Sequence, residues 1–396
     1  MNILFFSGSY LNYGGIEVVT SVLAKKFVED GHQVTIAALE MPHPEISSQQ
    51  IDGVQLVKLS NPILAYRNIR ILRMVFQKRN IDVVINQWGM NFMTTLLLRM
   101  ARGARNVKLV SVLHVDPNNS IVVSKIHNKI NRARIDKNYI KIAYNYVKLK
   151  AVIYILQKSL CYVASHSSRF VLLSQGFIKP LVEFAKLEST DNLECIPNPV
   201  TLDSTFEVEQ ISLKKKQLLY VGRMDFSPKR VERIVHLWEN LNQFWLDWEL
   251  VLVGDGLQKK ELEEYVVSHS IPRVRFEGFK KNPTKNYEEA SILLLTSDME
   301  GFGLVIVEGM TYGCVPVVYG SYEAVYDIIE DGKSGYITSM PYNSKEMEDK
   351  VNVLMQDEQK RKQMAANAID QSKKFSLGYV AQMWYNLFED VLKNGK

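Results

Sequence analysis

Residues 292–319 read ILLLTSDMEGFGLVIVEGMTYGCVPVVY, and the fold is decided there. The apolar run Ile292–Leu295 ends in Thr296-Ser297-Asp298, helix-like sequence begins near Gly303, and a second apolar run covers Val315–Tyr319. Strand, glycine-containing loop, helix and strand in that order make one parallel βαβ unit. Gly301 and Gly303 allow a ligand to approach the backbone closely, and the first helical amides, at Gly303, Leu304 and Val305, would point at it. Such a helix start suits phosphate. Glu308, about one turn further in, can accept two hydrogen bonds from a ribose diol, and Glu300 is left near whatever lies beyond the phosphates. The pattern fits a nucleoside diphosphate carrying a third group. A glycine-rich turn with two surface carboxylates is the plainer alternative.

A second segment favours the ligand. Leu218–Val221 reads as a strand that turns at Gly222, and Arg223 and Lys229 flank the loop leading into a helix with Val231, Ile234, Val235 and Trp238. A bidentate guanidinium and a mobile ammonium on one βα loop would neutralise a diphosphate.

Taken together, GRMDFSPKR (222–230), VGDG (253–256), EGFGLVIVEGM (300–310) and Gly14-Gly15 resemble the retaining GT-B glycosyltransferases that build bacterial capsule, lipopolysaccharide and other glycans from nucleotide sugars. The resemblance runs over essentially the whole chain and is sharpest in the second half, where Glu300 and Glu308 hold the group's spacing. IPNPV (196–200) makes capsule-type members look most similar. One departure stands at Pro199-Val200-Thr201, where many members carry Gly, an apolar residue and Asp.

The resemblance implies two doubly wound, Rossmann-like α/β domains facing across a cleft: residues 1–197 for the acceptor, 198–375 for the nucleotide sugar, and 376–396 as a helix packing back on the first. It implies transfer of a hexose or N-acetylhexosamine, with retention, to a glycan or polyprenyl-linked acceptor. No protein nucleophile is evident, so front-face substitution is preferred, the leaving phosphate taking the acceptor's proton. In the family's pattern His114 meets the donor sugar near its 6-hydroxyl, Glu300 holds sugar hydroxyls, Glu308 anchors the ribose, and the base lies near Gly278 and Phe279. From the residues alone, Phe279 is equally a core aromatic, and Gly15, expected to close over the diphosphate, is equally a plain turn into a helix.

Departure of a nucleoside diphosphate must be stabilised as the sugar bond breaks. Many transferases use a metal held by two aspartates one residue apart, and no such pair occurs here. Arg223, Lys229 and the amides near Gly303 are expected to take that role without metal or other cofactor, with a UDP-sugar favoured as donor over a GDP-sugar. An epimerase or phosphorylase on the same fold, or a non-catalytic nucleotide-sugar-binding or partner subunit, are the rival readings.

The chain has 396 residues, 46% hydrophobic and 23% charged, enough for two full cores. Its three cysteines, Cys161, Cys195 and Cys314, are widely spaced in apolar sequence and read as buried free thiols in a reducing cytosol. Asn2–Phe6 is too short for a signal core, and no apolar stretch approaches the roughly 20 residues needed to span a bilayer.

Charge is lopsided. Residues 1–200 hold 24 Lys and Arg against 13 Asp and Glu, a net +11, and the remainder nets −6. Between Ile121 and Leu160, nine basic residues face one acid, Asp136, and alternate with Ile126, Ile130, Ile135, Tyr139, Ile142, Tyr146, Val147 and Leu149. This reads as basic amphipathic helix lying on an anionic membrane, which places the protein in the cytoplasm, peripheral on the inner face of the cell membrane. A second basic helix carries Arg67, Arg70, Arg73, Lys78 and Arg79. Nucleic acid is the competing partner and has no motif behind it. A solvated helix face is the plain alternative.

Overall fold

The computed structural model describes the chain apart from residues 13, 44, 46–49, 118–119, 204–205 and 395–396; Tyr13, in the expected first loop, lies outside the described residues. The chain divides into two compact units, Met1–Asn198 with Leu377–Lys396, and Pro199–Ser376.

The first unit is built on β1 (Asn2–Ser9), β2 (Gln33–Glu40), β3 (Val54–Lys58), β4 (Val83–Asn86), β5 (Lys108–Leu113), β6 (Arg169–Leu172) and β7 (Leu193–Cys195). They form one sheet in the order β3-β2-β1-β4-β5-β6-β7, and each pairing is parallel. Parallel sheets of this kind are covered on both faces, which is why Ile3-Leu4-Phe5-Phe6 is apolar without alternation and fully buried. The intervening helices are α1 (Gly15–Glu29), α2 (Tyr66–Lys78), α3 (Phe92–Arg102), α4 (Ile121–Ile135), α5 (Tyr139–His166) and α6 (Ile178–Ala185).

The second unit repeats the plan. Its strands β8 (Lys215–Val221), β9 (Glu249–Val253), β10 (Val274–Gly278), β11 (Ala290–Leu295), β12 (Val315–Tyr319) and β13 (Tyr336–Thr338) are parallel in the order β10-β9-β8-β11-β12-β13. Helices α7 (Glu232–Leu241), α8 (Lys259–Ser268), α9 (Thr284–Glu289), α10 (Leu304–Thr311), α11 (Ala324–Ile328), α12 (Ser344–Gln356) and α13 (Glu358–Ser372) cover it. In each sheet the chain works outward on one side and then crosses back, so the winding reverses between β1 and β4 and between β8 and β11. Ligands of such sheets bind outside the strand carboxyl ends at that reversal.

Three sequence expectations need correction. Strand β13 was not anticipated, because three residues carry too little pattern to register. The basic stretch is not one amphipathic helix but an antiparallel pair, α4 and α5, joined at Asp136–Asn138. Lys137 there takes a left-handed φ of 52° and Asn138 caps α5 by accepting from Lys141 N at 3.0 Å. Cys195 and Cys314 are buried as expected, but Cys161, on α5, is only half-buried.

The last helix, α14 (Leu377–Asn394), belongs to the first unit and packs on α1. Its Phe388 ring meets Phe27 edge-on at 5.7 Å, Trp384 lies 5.8 Å from Phe388, and the Tyr385 hydroxyl donates to Asp30 at 2.5 Å. Arg169, at the start of β6, pairs with Asp390. Phe388 is fully buried. Phe388→Ala should therefore destabilise the protein by about 3–5 kcal/mol, the usual cost of deleting a core aromatic, as read by urea denaturation.

Candidate functional site

At the winding reversal of the second unit, β8 runs into Gly222 and β11 into Thr296-Ser297. The strand ends are packed backbone to backbone: a β-carbon on Gly254 would lie 1.8 Å from the Gly222 carbonyl oxygen, so no other residue fits there. Gly222 N donates to Val253 O at 3.0 Å and Gly254 N to Gly278 O at 2.8 Å, which ties three strand ends into one rim.

The two loops beyond this rim are stitched together. Asp298 N donates to Pro228 O (2.8 Å), Thr296 Oγ1 to Arg230 O (3.0 Å) and Arg233 Nη1 to Thr296 O (2.9 Å). Arg233 also pairs with Asp298 at 2.7 Å, its guanidinium lying 4.1 Å from the Tyr342 ring centre. Held between the loops is an ion pair, Lys229 Nζ to Glu300 Oε1 at 2.6 Å, with both side chains mostly buried. Ser297 Oγ donates to the same carboxylate oxygen at 2.8 Å. Lys229 keeps two N–H donors and Glu300 keeps Oε2, which has no hydrogen bond among the described residues.

Arg223 and Lys229 do not stand as the matched cation pair expected from sequence. Lys229 is engaged by Glu300, whereas Arg223 is 68% exposed and lies 3.4 Å from Asp225. The backbone sorts them, since the Arg223 carbonyl is turned inward to accept from the Tyr220 hydroxyl at 2.6 Å.

Gly303 caps α10 in the left-handed conformation, φ 89° and ψ 48°, which a side chain resists. The next amides, Leu304 and Val305, precede any carbonyl of the helix they could reach, so they are open donors of the kind that suits an anion. Tyr322 supplies what the sequence did not suggest. Its ring is buried, its hydroxyl has no partner among the described residues, and a β-carbon on Gly303 would come within 2.5 Å of that oxygen. Burial and the nearby Glu300 charge raise its pKa well above the ordinary tyrosine value, so it is a donor. An orphaned buried hydroxyl beside a turn with open amides is placed to donate to an acceptor from outside the protein.

Glu308 differs from expectation. It is buried, and its two oxygens already accept from Thr201 Oγ1 at 2.5 Å and from the Tyr287 hydroxyl at 3.1 Å. Burial raises its pKa, and those two hydroxyls oppose the rise. A diol can use only the lone pairs that remain. Phe279, left open between core and site, is 60% exposed on the rim after β10 and is no core residue; Gly278 before it has φ 69°.

In the first unit, Gly15 opens α1 beyond β1. The space a Gly14 β-carbon would take is filled by the Glu17 carboxylate, 2.2 Å away, and burial raises the Glu17 pKa. His114 follows β5. Its Nε2 meets Gln87 Oε1 at 2.6 Å, while Gln87 Nε2 donates to Thr20 Oγ1 at 3.1 Å and Thr20 Oγ1 to Ile16 O at 2.7 Å. The chain of donors fixes the tautomer: Nε2 carries the proton and Nδ1 is an acceptor. Burial lowers the imidazole pKa to about 4, so it is neutral. Gln87, too, was not singled out by sequence.

Two family models account for nearly all of this chain: "Glycosyl transferases group 1" over residues 203–371 and "Glycosyltransferase Family 4" over residues 13–204. A Campylobacter jejuni α-1,4-N-acetyl-D-galactosaminyltransferase, named for an undecaprenol-diphosphate-linked acceptor, is 29% identical over 195 residues, 48% of this chain and 51% of that protein. The chain thus matches about half the length of that relative. Among solved structures, Anabaena HepE in complex with UDP aligns with a TM-score of 0.73 at 19% identity, over 98% of this chain and 100% of that one. The lipopolysaccharide outer core galactosyltransferase WaaB aligns at 0.70 and 18%, over 98% and 100%. Both likenesses are of fold, the two-sheet GT-B plan.

Tyr322→Phe should fold normally yet bind a nucleoside diphosphate or its sugar about 10-fold more weakly, the worth of one hydrogen bond to a charged group, by calorimetry. His114 should remain neutral and Nε2-protonated at about pH 6, where an ordinary histidine is largely charged, by ¹⁵N NMR. Gln87→Glu should convert it to imidazolium.

Proposed function

This chain belongs to the group 1 glycosyltransferases, and from that premise we propose that it is a retaining, metal-independent transferase acting on a UDP-sugar. It moves a hexose or N-acetylhexosamine to a glycan or lipid-linked acceptor during assembly of a bacterial surface polysaccharide. The observation carrying this reading is the second unit's anion site. The Leu304 and Val305 amides, the Lys229–Glu300 pair and the Tyr322 hydroxyl, without a partner among the described residues, gather at one winding reversal. The UDP in the HepE complex favours uridine, and the name of the Campylobacter relative favours a lipid-linked acceptor.

Chemically, the amides and Lys229 would take up charge on the departing diphosphate, and the free oxygen of Glu300 would hold a sugar hydroxyl. Fixed donors of this kind lower the barrier because they need no reorganisation as charge develops. The first unit would carry the acceptor.

A thermal-shift screen of UDP- and GDP-sugars, followed by transfer from a labelled donor, tests the reading. Selective stabilisation by one UDP-sugar and its turnover are expected. Binding without turnover would leave a nucleotide-sugar-binding subunit instead, and silence toward all donors would overturn the proposal. Lys229→Ala should cut transfer by about 10²-fold and Arg223→Ala, at a more exposed position, by less; Glu308→Ala should chiefly raise the donor KM, and a chelator should leave turnover intact.

A further inference from the structure

The C-terminal part of α5 packs on the first unit's sheet, while α4 packs chiefly on α5. Ser159 marks where α5 reaches that sheet: its hydroxyl donates to Met90 O at 2.6 Å and accepts from Phe92 N at 2.9 Å, both just beyond the carboxyl end of β4. The 20 residues of α5 before it, Tyr139–Lys158, are about 30 Å long at 1.5 Å per residue, and their packing is against α4. The two helices hold together through their own small core of Ile126, Ile130 and Leu149, flanked by Val123, Val152 and Ile153.

That core uses only one face of α5. Ile140, Tyr144, Val147, Ala151, Tyr154 and Ile155 recur at intervals of three, four and one, so they form a single stripe on the opposite side of the helix. All six are exposed, Ile140 by 84% and Val147 by 70%. At 100° per residue, Lys141 and Lys148 flank the stripe on one side and Lys150 on the other. None of the pair's nine basic residues has an acidic partner within salt-bridge distance among the described residues. A continuous exposed apolar row is unusual on a solvated helix and marks a docking face.

We propose that this stripe and its flanking lysines dock the protein on an anionic phospholipid bilayer, with α5 lying in the interface. A bilayer supplies both halves of the match: an acyl boundary for Ile140, Tyr144 and Val147, and phosphates for the lysines. A second copy of the chain would satisfy the apolar row but would bring nine unpaired cations against nine. Nucleic acid would satisfy the cations and leave the row in water. This docking is separate from the sugar-transfer reading and stands or falls without it.

The test is co-sedimentation of the full chain with vesicles of mixed phosphatidylglycerol and phosphatidylcholine, and with phosphatidylcholine alone, at low salt. The protein should pellet with the anionic vesicles only. Combining Lys141→Glu, Lys148→Glu and Lys150→Glu should lower partitioning about 100-fold, from roughly 1 kcal/mol for each cation at a membrane surface. Combining Ile140→Ser, Tyr144→Ser and Val147→Ser should lower it about 10-fold or more and leave the residual binding wholly salt-sensitive. All six side chains are exposed, and unchanged circular dichroism would show that lost binding is not unfolding. Failure to pellet with anionic vesicles would overturn the proposal, as would indifference to either triple change. So would a serine variant that turns a dimer into a monomer while still binding vesicles.

Discussion

A parallel sheet sends every strand's carboxyl end to the same edge, and the reversal of winding opens a gap in the helices covering that edge. The candidate groups are distributed by this one constraint. Gly14-Gly15 and Gln87 follow β1 and β4, the pair at which the first sheet reverses, while Arg223 and Glu300 follow β8 and β11, the pair at which the second does. Groups 70 or more residues apart in sequence need no special fold to meet there. What they need is a rim thin enough for a ligand to reach the backbone, and the contact of Gly254 with the Gly222 carbonyl provides it.

The electrostatics of the second unit favour preorganisation over raw positive charge. Two unpaired cations beside a helix start would attract a diphosphate, but their long side chains would lose much conformational freedom on binding it. Lys229 is instead fixed beforehand by Glu300, and Glu300 by Ser297, in loops cross-linked through Arg230, Arg233, Thr296 and Asp298. The ion pair is mostly buried, so its partners were desolvated when the protein folded. A diphosphate bound as proposed would meet donors already at their stations. The same logic covers the Tyr322 hydroxyl, whose hydrogen-bonding capacity is left unspent in the protein.

The strands were legible in the sequence because burial on both faces leaves uninterrupted apolar runs, as in Ile292–Leu295 and Val315–Tyr319. The Gly303 turn was legible for a similar local reason: glycine, helix start and carboxylates lie within nine residues. What escaped is non-local. Gln87 is defined by its bond to His114, 27 residues on, and to Thr20, 67 residues back. Tyr322 is ordinary in sequence and acquires meaning from the missing β-carbon at Gly303. Thr201, seen only as a departure from the family's aspartate, turns out to donate to Glu308, so the substitution replaces a second carboxylate by a donor beside a buried acid.

The basic stretch shows why a correct pattern can still be incomplete. Reading Ile121–Leu160 as one amphipathic helix credits all its apolar residues to one face. Ile126, Ile130 and Leu149 are in fact consumed inside the helix pair, whereas Ile135, Tyr139 and Val147 remain exposed. Periodicity alone reports that apolar residues recur, not how many partners they have. On α5 the recurrence runs along two opposite faces, and a helix that is apolar on two sides must be covered twice. The pairing with α4 covers the first. The second is bordered by Lys141, Lys148 and Lys150, which have no acidic partner within salt-bridge distance among the described residues, so the proposed bilayer would supply the apolar surface and the negative charge together.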